Sequence, residues 1–219
     1  MEPFYILRKP FEVIFKLRKK FSETLIVPFI LYISFESLPF IKLDGWLDET
    51  IYFVAHFLIT VHTAIVTHRL SVLGSDSIPK WGAIKWGKRE SIFSLHLLLI
   101  ILMYEAIYIS YTKNSLLAAL LTVILFVICT RISLIFPIIA INGKGTIYQS
   151  WIYTRNSFLD MVVILWIYPF FIYLITSALV NYDHSVLFVT AVNYLQIVLL
   201  TSTLSFTYVE ISGAHGEFL

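Results

Sequence analysis

Two carboxylates stand in long apolar stretches with no cation nearby. Glu36 and Glu105 are those residues. A charge at mid-bilayer costs about 3 kcal/mol or more, so such a group is either protonated and hydrogen-bonded or serves as an intramembrane proton or cation site. Glu36 is followed by Pro39, which brings it close to an interface; for Glu105 both readings stand. The histidines offer less. His56, His62 and His68 are spaced by six, which at helical pitch sends them to three different faces, so they share no ion. His62 and His96 fall at similar depth on consecutive helices, but one such pair lacks the supporting set of small residues that would admit a porphyrin, and they read as bundle histidines. The single cysteine, Cys129, forms no internal disulfide and no metal cluster. There is no Gly-rich phosphate loop, no Gly-x-Ser-x-Gly elbow, no His-Glu-x-x-His pair and no Cys-x-x-Cys. The expectation is a protein that is not an enzyme, with no catalytic residues, metal or cofactor.

A second set of charged residues sits where apolar stretches begin or end, Arg131 about two turns inside the end of its own. Glu23, Arg69, Arg89, Glu90, Arg131, Arg155, Asp160 and Glu210 all fall near one membrane surface if the stretches are helices of about 1.5 Å rise per residue. They are expected to form one charge layer, Arg69, Arg131 and Arg155 meeting Glu23, Glu90, Asp160 and Glu210. Polar stripes point inward beside it: His56, Thr60, Thr63 and Thr67 in one stretch, and Asn193, Gln196, Thr203, Thr207 and Glu210 in another. Such stripes serve either as interhelical hydrogen-bonding glue or as the lining of a cavity.

The elements that position these groups follow from composition. The chain has 219 residues, of which 58% are hydrophobic and 14% charged, with a mean hydropathy of +0.83. A soluble domain is about one quarter charged, so the bilayer must act as part of the solvent. The sequence predicts an all-α polytopic membrane protein. Residues 1–21 form a basic amphipathic interfacial helix, 22–212 a six-helix transmembrane bundle and 213–219 a cytoplasmic tail. The six spans run over 22–42, 50–70, 91–112, 115–140, 158–180 and 186–210, each near the ~20 residues a crossing needs. The N-terminus carries no clean cleavage site and reads as retained. Of the 16 Lys and Arg residues, only Lys42 and Lys113 lie away from one side, which puts both ends in the cytoplasm. Lys16, Lys19 and Lys20, with Trp81, Trp86 and Trp151, are the expected contacts with an anionic lipid surface. Nucleic acid is not an expected partner; a membrane protein or a second copy of the chain is.

One arrangement carries a resemblance. His68-Arg69 with Leu73-Gly74, then Arg89-Glu90, Arg131 with Phe136-Pro137 and Ala140, Ser150-Trp151 with Thr154-Arg155-Asn156, and Tyr208-Val209-Glu210 follow in that order. The chain from about 60 to 210 resembles a largely uncharacterised class of bacterial six-helix inner-membrane proteins. That class is similar to Yip-like proteins and to the membrane domain of glycerophosphodiester phosphodiesterases. Ser75 stands where the class carries an acidic residue after the Leu-Gly pair, and no hydrolase domain is attached. The resemblance implies a six-helix bundle with cytoplasmic ends, in a bacterial inner membrane, and no catalytic residues. The functional expectation is a non-enzymatic protein that organises lipid or a partner complex through a basic cytoplasmic face. The alternative is a small transporter or permease component that uses Glu105 and Glu36.

Overall fold

The computed structural model describes residues 3–37, 46–82, 85–113, 115–142, 145–182 and 185–213. Its regular structure is helical: α1 (Pro3–Lys16), α2 (Arg18–Ser37), α3 (Trp46–Leu73), α4 (Lys88–Lys113), α5 (Ser115–Ile132), α6 (Ile135–Asn142), α7 (Ile147–Tyr153), α8 (Phe158–Val162), α9 (Tyr168–Tyr182) and α10 (Val186–Ser212). Five segments are long and apolar enough to cross a membrane: Glu49–Leu73, Lys88–Thr112, Ser115–Ile141, Phe158–Ala178 and Leu187–Ser212. The chain is therefore compatible with a multi-pass membrane protein. The expected first span coincides with α2, which is not among the five. Arg18, Lys19, Lys20, Glu23 and Glu36 all fall within its 20 residues, and positions 38–42 of that expected span lie outside the described residues.

Side-chain contacts give the helix directions. Glu36 near the end of α2 meets Tyr52 near the start of α3, while Phe21 near the start of α2 joins Val66 and Leu70 in one cluster. The two helices run antiparallel along most of their length. Thr63 meets Tyr194 and Ser71 meets Ser202. Both partners advance by eight residues, so α3 and α10 run parallel. Burial concentrates where α3 ends. Val66, Leu70, Leu134, Ile135, Ile139 and Met161 are fully buried, whereas Leu102, Tyr108, Phe171 and Ile175 on α4 and α9 are exposed. Apolar side chains left exposed on helices of this length are what lipid would cover.

Two prolines explain where expected spans are interrupted. The fourth is not one helix to residue 140. It stops at Ile132 and restarts at Ile135, which puts Pro137 in the first turn of α6. A proline there forfeits no helical hydrogen bond, whereas inside a continuous helix it would clash with the carbonyl of Ser133. That carbonyl instead accepts from the N–H of Phe136. The fifth span contains a π-helical turn over Val163–Ile167, one residue before Pro169. A widened turn relieves the clash between a proline ring and the carbonyl four residues back.

Candidate functional site at the basic end of the bundle

Arg131 lies at the interruption between α5 and α6. Ending α5 there leaves the Arg131 carbonyl without a helical partner, and Ser150 and Thr154 hydroxyls donate to it at 2.8 and 3.1 Å. The side chain returns the contact, its Nη1 donating to the Thr154 carbonyl at 2.7 Å. The guanidinium lies 4.7 Å from the Phe158 ring centroid and 5.6 Å from that of Trp151. The short helix α7 is thereby stapled to the end of α5. Its own start is closed by a capping box between Thr146 and Gln149. Gly145 precedes it with no room for a side chain: a Cβ would stand 2.9 Å from Ile139.

Arg69 does a related job at the end of α3. Its Nη1 donates to the Ala140 carbonyl at 3.3 Å, in the last turn of α6, and its Nη2 to the Ser77 carbonyl at 3.0 Å. Ser77 donates back to the Arg69 carbonyl. Both arginines are thus seated on carbonyls at the C-terminal ends of short helices, where unpaired acceptors and the negative end of the helix dipole gather. The expected layer had these cations meeting carboxylates. Among the described residues, Arg89 pairs with its own neighbour Glu90, with Nε at 2.8 Å. The other Glu90 oxygen caps the Gly87 N–H at 2.9 Å. Both groups lie within electrostatic reach of Arg69. Glu23 and Asp160 stand half-buried without an ion pair among the described residues, Glu210 is half-buried near the end of α10, and Arg155 is exposed.

Between these nodes runs a seam of buried polar groups. His68 is 2% exposed, and its Nδ1 is 2.7 Å from Ser205 Oγ. Ser71 meets Ser202 at 2.9 Å, and the Tyr194 hydroxyl lies 3.2 Å from Thr63 and donates to the Leu25 carbonyl at 3.3 Å. Of the expected stripes, Thr63, Thr67, Thr203 and Thr207 are buried, while Thr60 and Gln196 are intermediate and Asn193 is exposed. Thr203 and Thr207 bond carbonyls of their own helix. The seam is mostly interhelical glue, in which short hydroxyl side chains let the helices approach.

At the other end of the α2–α3 pair, Glu36 lies beside two side chains of α3 that the sequence did not place there. His56 Nε2 lies 3.4 Å from its Oε1, and Tyr52 donates to the same oxygen at 2.8 Å. The His56–Glu36 approach is too poorly aligned for a hydrogen bond. Tyr52 and Tyr32 flank the imidazole, with centroids at 4.3 and 4.7 Å. Glu105 does not join this cluster; it is exposed on α4.

Compared with family models, curated proteins and solved structures, the chain matches none.

Two apolar clefts flank α2. One of about 340 Å³, between α1, α2 and α10, is lined by Ile14, Phe21, Phe29 and Val198 with Arg18 at its edge. The other, about 600 Å³, lies between α2 and α3 beneath Trp81 and Trp86. These tryptophans are 55% and 49% exposed, and Trp151 is 44% exposed. Lys16 and Lys19 are exposed and Lys20 half-buried. The three histidines of α3 do point three ways: His56 to Glu36, His62 to the Trp81–Gly82 turn and His68 to α10. Among the described residues no group of three His, Cys, Asp or Glu could hold a metal. The residues missed from the sequence are partners rather than charges: Ser150 and Thr154 for Arg131, Ser205 for His68, and His56 for Glu36. Hydroxyls three to four residues apart beside an arginine-bearing helix end would have been the available signal for the first.

Proposed function

We propose that the chain is a non-enzymatic six-span membrane protein of a bacterial inner membrane, with both ends in the cytoplasm. It organises lipid or a partner membrane complex through its basic face. One observation carries the reading: α2 runs antiparallel to α3, and α3 parallel to α10. Those directions bring the basic start of α2 and the lysine-bearing loop after α3 toward one end of the bundle, and the Arg69 contact with the Ala140 carbonyl draws the end of α6, which leads into the arginine-stapled α7, to the same end. Counting α2 as a crossing gives six, in keeping with the class the sequence resembles, and cations gathered at one end fit the positive-inside rule. Anionic lipid attracts such a face by about 1 kcal/mol per cation near the surface. Replacing Lys16, Lys19 and Lys20 together with Gln is expected to cut co-purifying anionic phospholipid and recovery of membrane complexes severalfold. Unchanged recovery of both would remove the reading.

A second reading is a small transporter or permease component with an intramembrane carboxylate site at Glu36 and Glu105. The carboxylate–imidazole–phenol contact at Glu36 favours it, because paired titratable groups within a bundle are where proton relays are built. Six helices are few for a lone carrier, so a homodimer would be needed. Glu36→Gln is expected to abolish proton-linked flux in proteoliposomes under this reading. Flux equal to wild type in Glu36→Gln and in Glu105→Gln would end it.

A further inference from the structure

We propose that the cleft between α2 and α3 seats one anionic phospholipid of the cytoplasmic leaflet, an acyl chain against its walls and the phosphate at Lys80 and Lys85. The proposal rests on the basic-face reading and assigns it a site. The cleft's volume of about 600 Å³ lies within the range of pockets that hold ligands of several hundred daltons. Its walls are Pro28 and Leu31 from α2 and Leu58 from α3, with the His62 ring among them. Such walls offer an acyl chain contact and little hydrogen bonding.

The mouth is built rather than incidental. Gly82 approaches α2 so closely that a Cβ would stand 2.4 Å from the Thr24 carbonyl oxygen. Trp81 beside it takes a left-handed backbone, φ 65°. That conformation is strained for a bulky L-residue, costing about 1–3 kcal/mol, and it persists only where the surroundings impose it. The strain leaves the Trp81 indole at the mouth of the cleft and exposed instead of packed in the core. Trp86 stands across from it and is anchored by its indole N–H to Ser91 Oγ at 3.2 Å. An indole with an apolar body and a polar edge suits the level of the glycerol esters.

Charge selects the occupant. Lys80 and Lys85 precede the two tryptophans, both exposed, and Lys88 follows. Lys80 Nζ lies 6.0 Å from the Trp81 ring centroid. The carboxylates of this segment are engaged: Asp76 accepts from Ser75, and Glu90 is held by Arg89 and Gly87. A zwitterionic lipid would gain little from these cations, while a phosphatidylglycerol phosphate meets them without a competing positive group.

The test uses the whole chain in nanodiscs of phosphatidylcholine doped with phosphatidylglycerol brominated in the upper acyl chain. Tryptophan fluorescence should be quenched saturably at low doping, and Trp81→Phe with Trp86→Phe should remove that saturable part. Replacing Lys80 and Lys85 with Gln should shift half-saturation upward by roughly fivefold or more. Leu58→Trp, which fills the cleft, should lower tightly retained phosphatidylglycerol, while Leu195→Trp in the cleft on the other flank of α2 should not. The fluorescence series on the wild-type chain decides the matter even if Leu58→Trp fails to fold. Equal quenching by brominated phosphatidylcholine, or quenching linear in lipid, would overturn the site. So would quenching that responds to protein concentration instead of lipid, which would point to a second copy in the cleft. Loss of the site with anionic lipid still retained through Lys16, Lys19 and Lys20 would leave the basic-face reading intact; loss of both would remove it too.

Discussion

A single hydrogen atom separates Gly82 from an impossible residue. Alanine there would meet the Thr24 carbonyl, a backbone atom that cannot swing aside, and would also have to hold φ at +66°. Gly74 has a similar φ of +78° but open space around the missing Cβ. With ψ −168° Gly74 occupies a region that is essentially glycine's own, so Gly74→Ala should cost that backbone strain alone, about 1–3 kcal/mol, and Gly82→Ala, with the clash added, clearly more, read as the loss of thermal stability in detergent. Equal losses would mean that the loop does not bear on α2. His68 poses a related problem of satisfaction. Its imidazole is buried against Ser205, and Ser205→Ala would strand a buried polar group at a cost of about 1–3 kcal/mol. Neither partner was legible in the sequence. A glycine in a polar loop looks like punctuation, and a helix face shows which side of α3 His68 occupies without saying which helix comes to meet it. The pairing of Glu36 with His56 was hidden for the same reason: it depends on how far α2 slides along α3, a register that hydropathy does not encode.

At the scale of elements, the arginines are seated where helices stop. Arg131 was legible as a member of the charge layer, and Pro137 as a proline within the expected fourth span. Their joint solution was not. The chain ends α5 before the proline, frees a carbonyl and covers it with the hydroxyls of Ser150 in α7 and Thr154 just after it, while the guanidinium crosses to the Thr154 carbonyl. Carboxylate partners were the natural expectation because opposite charges are what a sequence displays, whereas backbone carbonyls at helix ends are invisible in it. A guanidinium suits this post because one planar group can donate in-plane and lie near two aromatic rings. Arg131→Lys keeps the charge and loses that geometry. It should leave expression and membrane insertion intact but raise proteolysis in the 143–157 segment by about tenfold, a local opening eased by roughly 1.4 kcal/mol. Proteolysis no faster than wild type would show that charge alone holds α7.

For the whole molecule, apolar length made the coarse fold legible, a helical chain with several segments long enough to cross a membrane. Five segments are apolar enough to cross by composition, and α2 falls short because its charges gather toward its two ends. Charges so placed would suit two interfaces if α2 crosses, Arg18 to Glu23 at one and Glu36 at the other beside a histidine and a tyrosine. If α2 crosses, the segments on either side of α4 and of the α8–α9 pair must alternate across the bilayer. Cysteines introduced at Ser75 and Gln149, in a chain with Cys129→Ala, should then react with an impermeant maleimide only from the cytoplasmic side, and one at Ser185 only from outside. If Ser75 and Gln149 labelled from opposite sides, the arginines of α3 and α5 would not share a surface. The basic face would then dissolve into two unrelated patches, and the lysines around the α2–α3 cleft would have no anionic leaflet to meet.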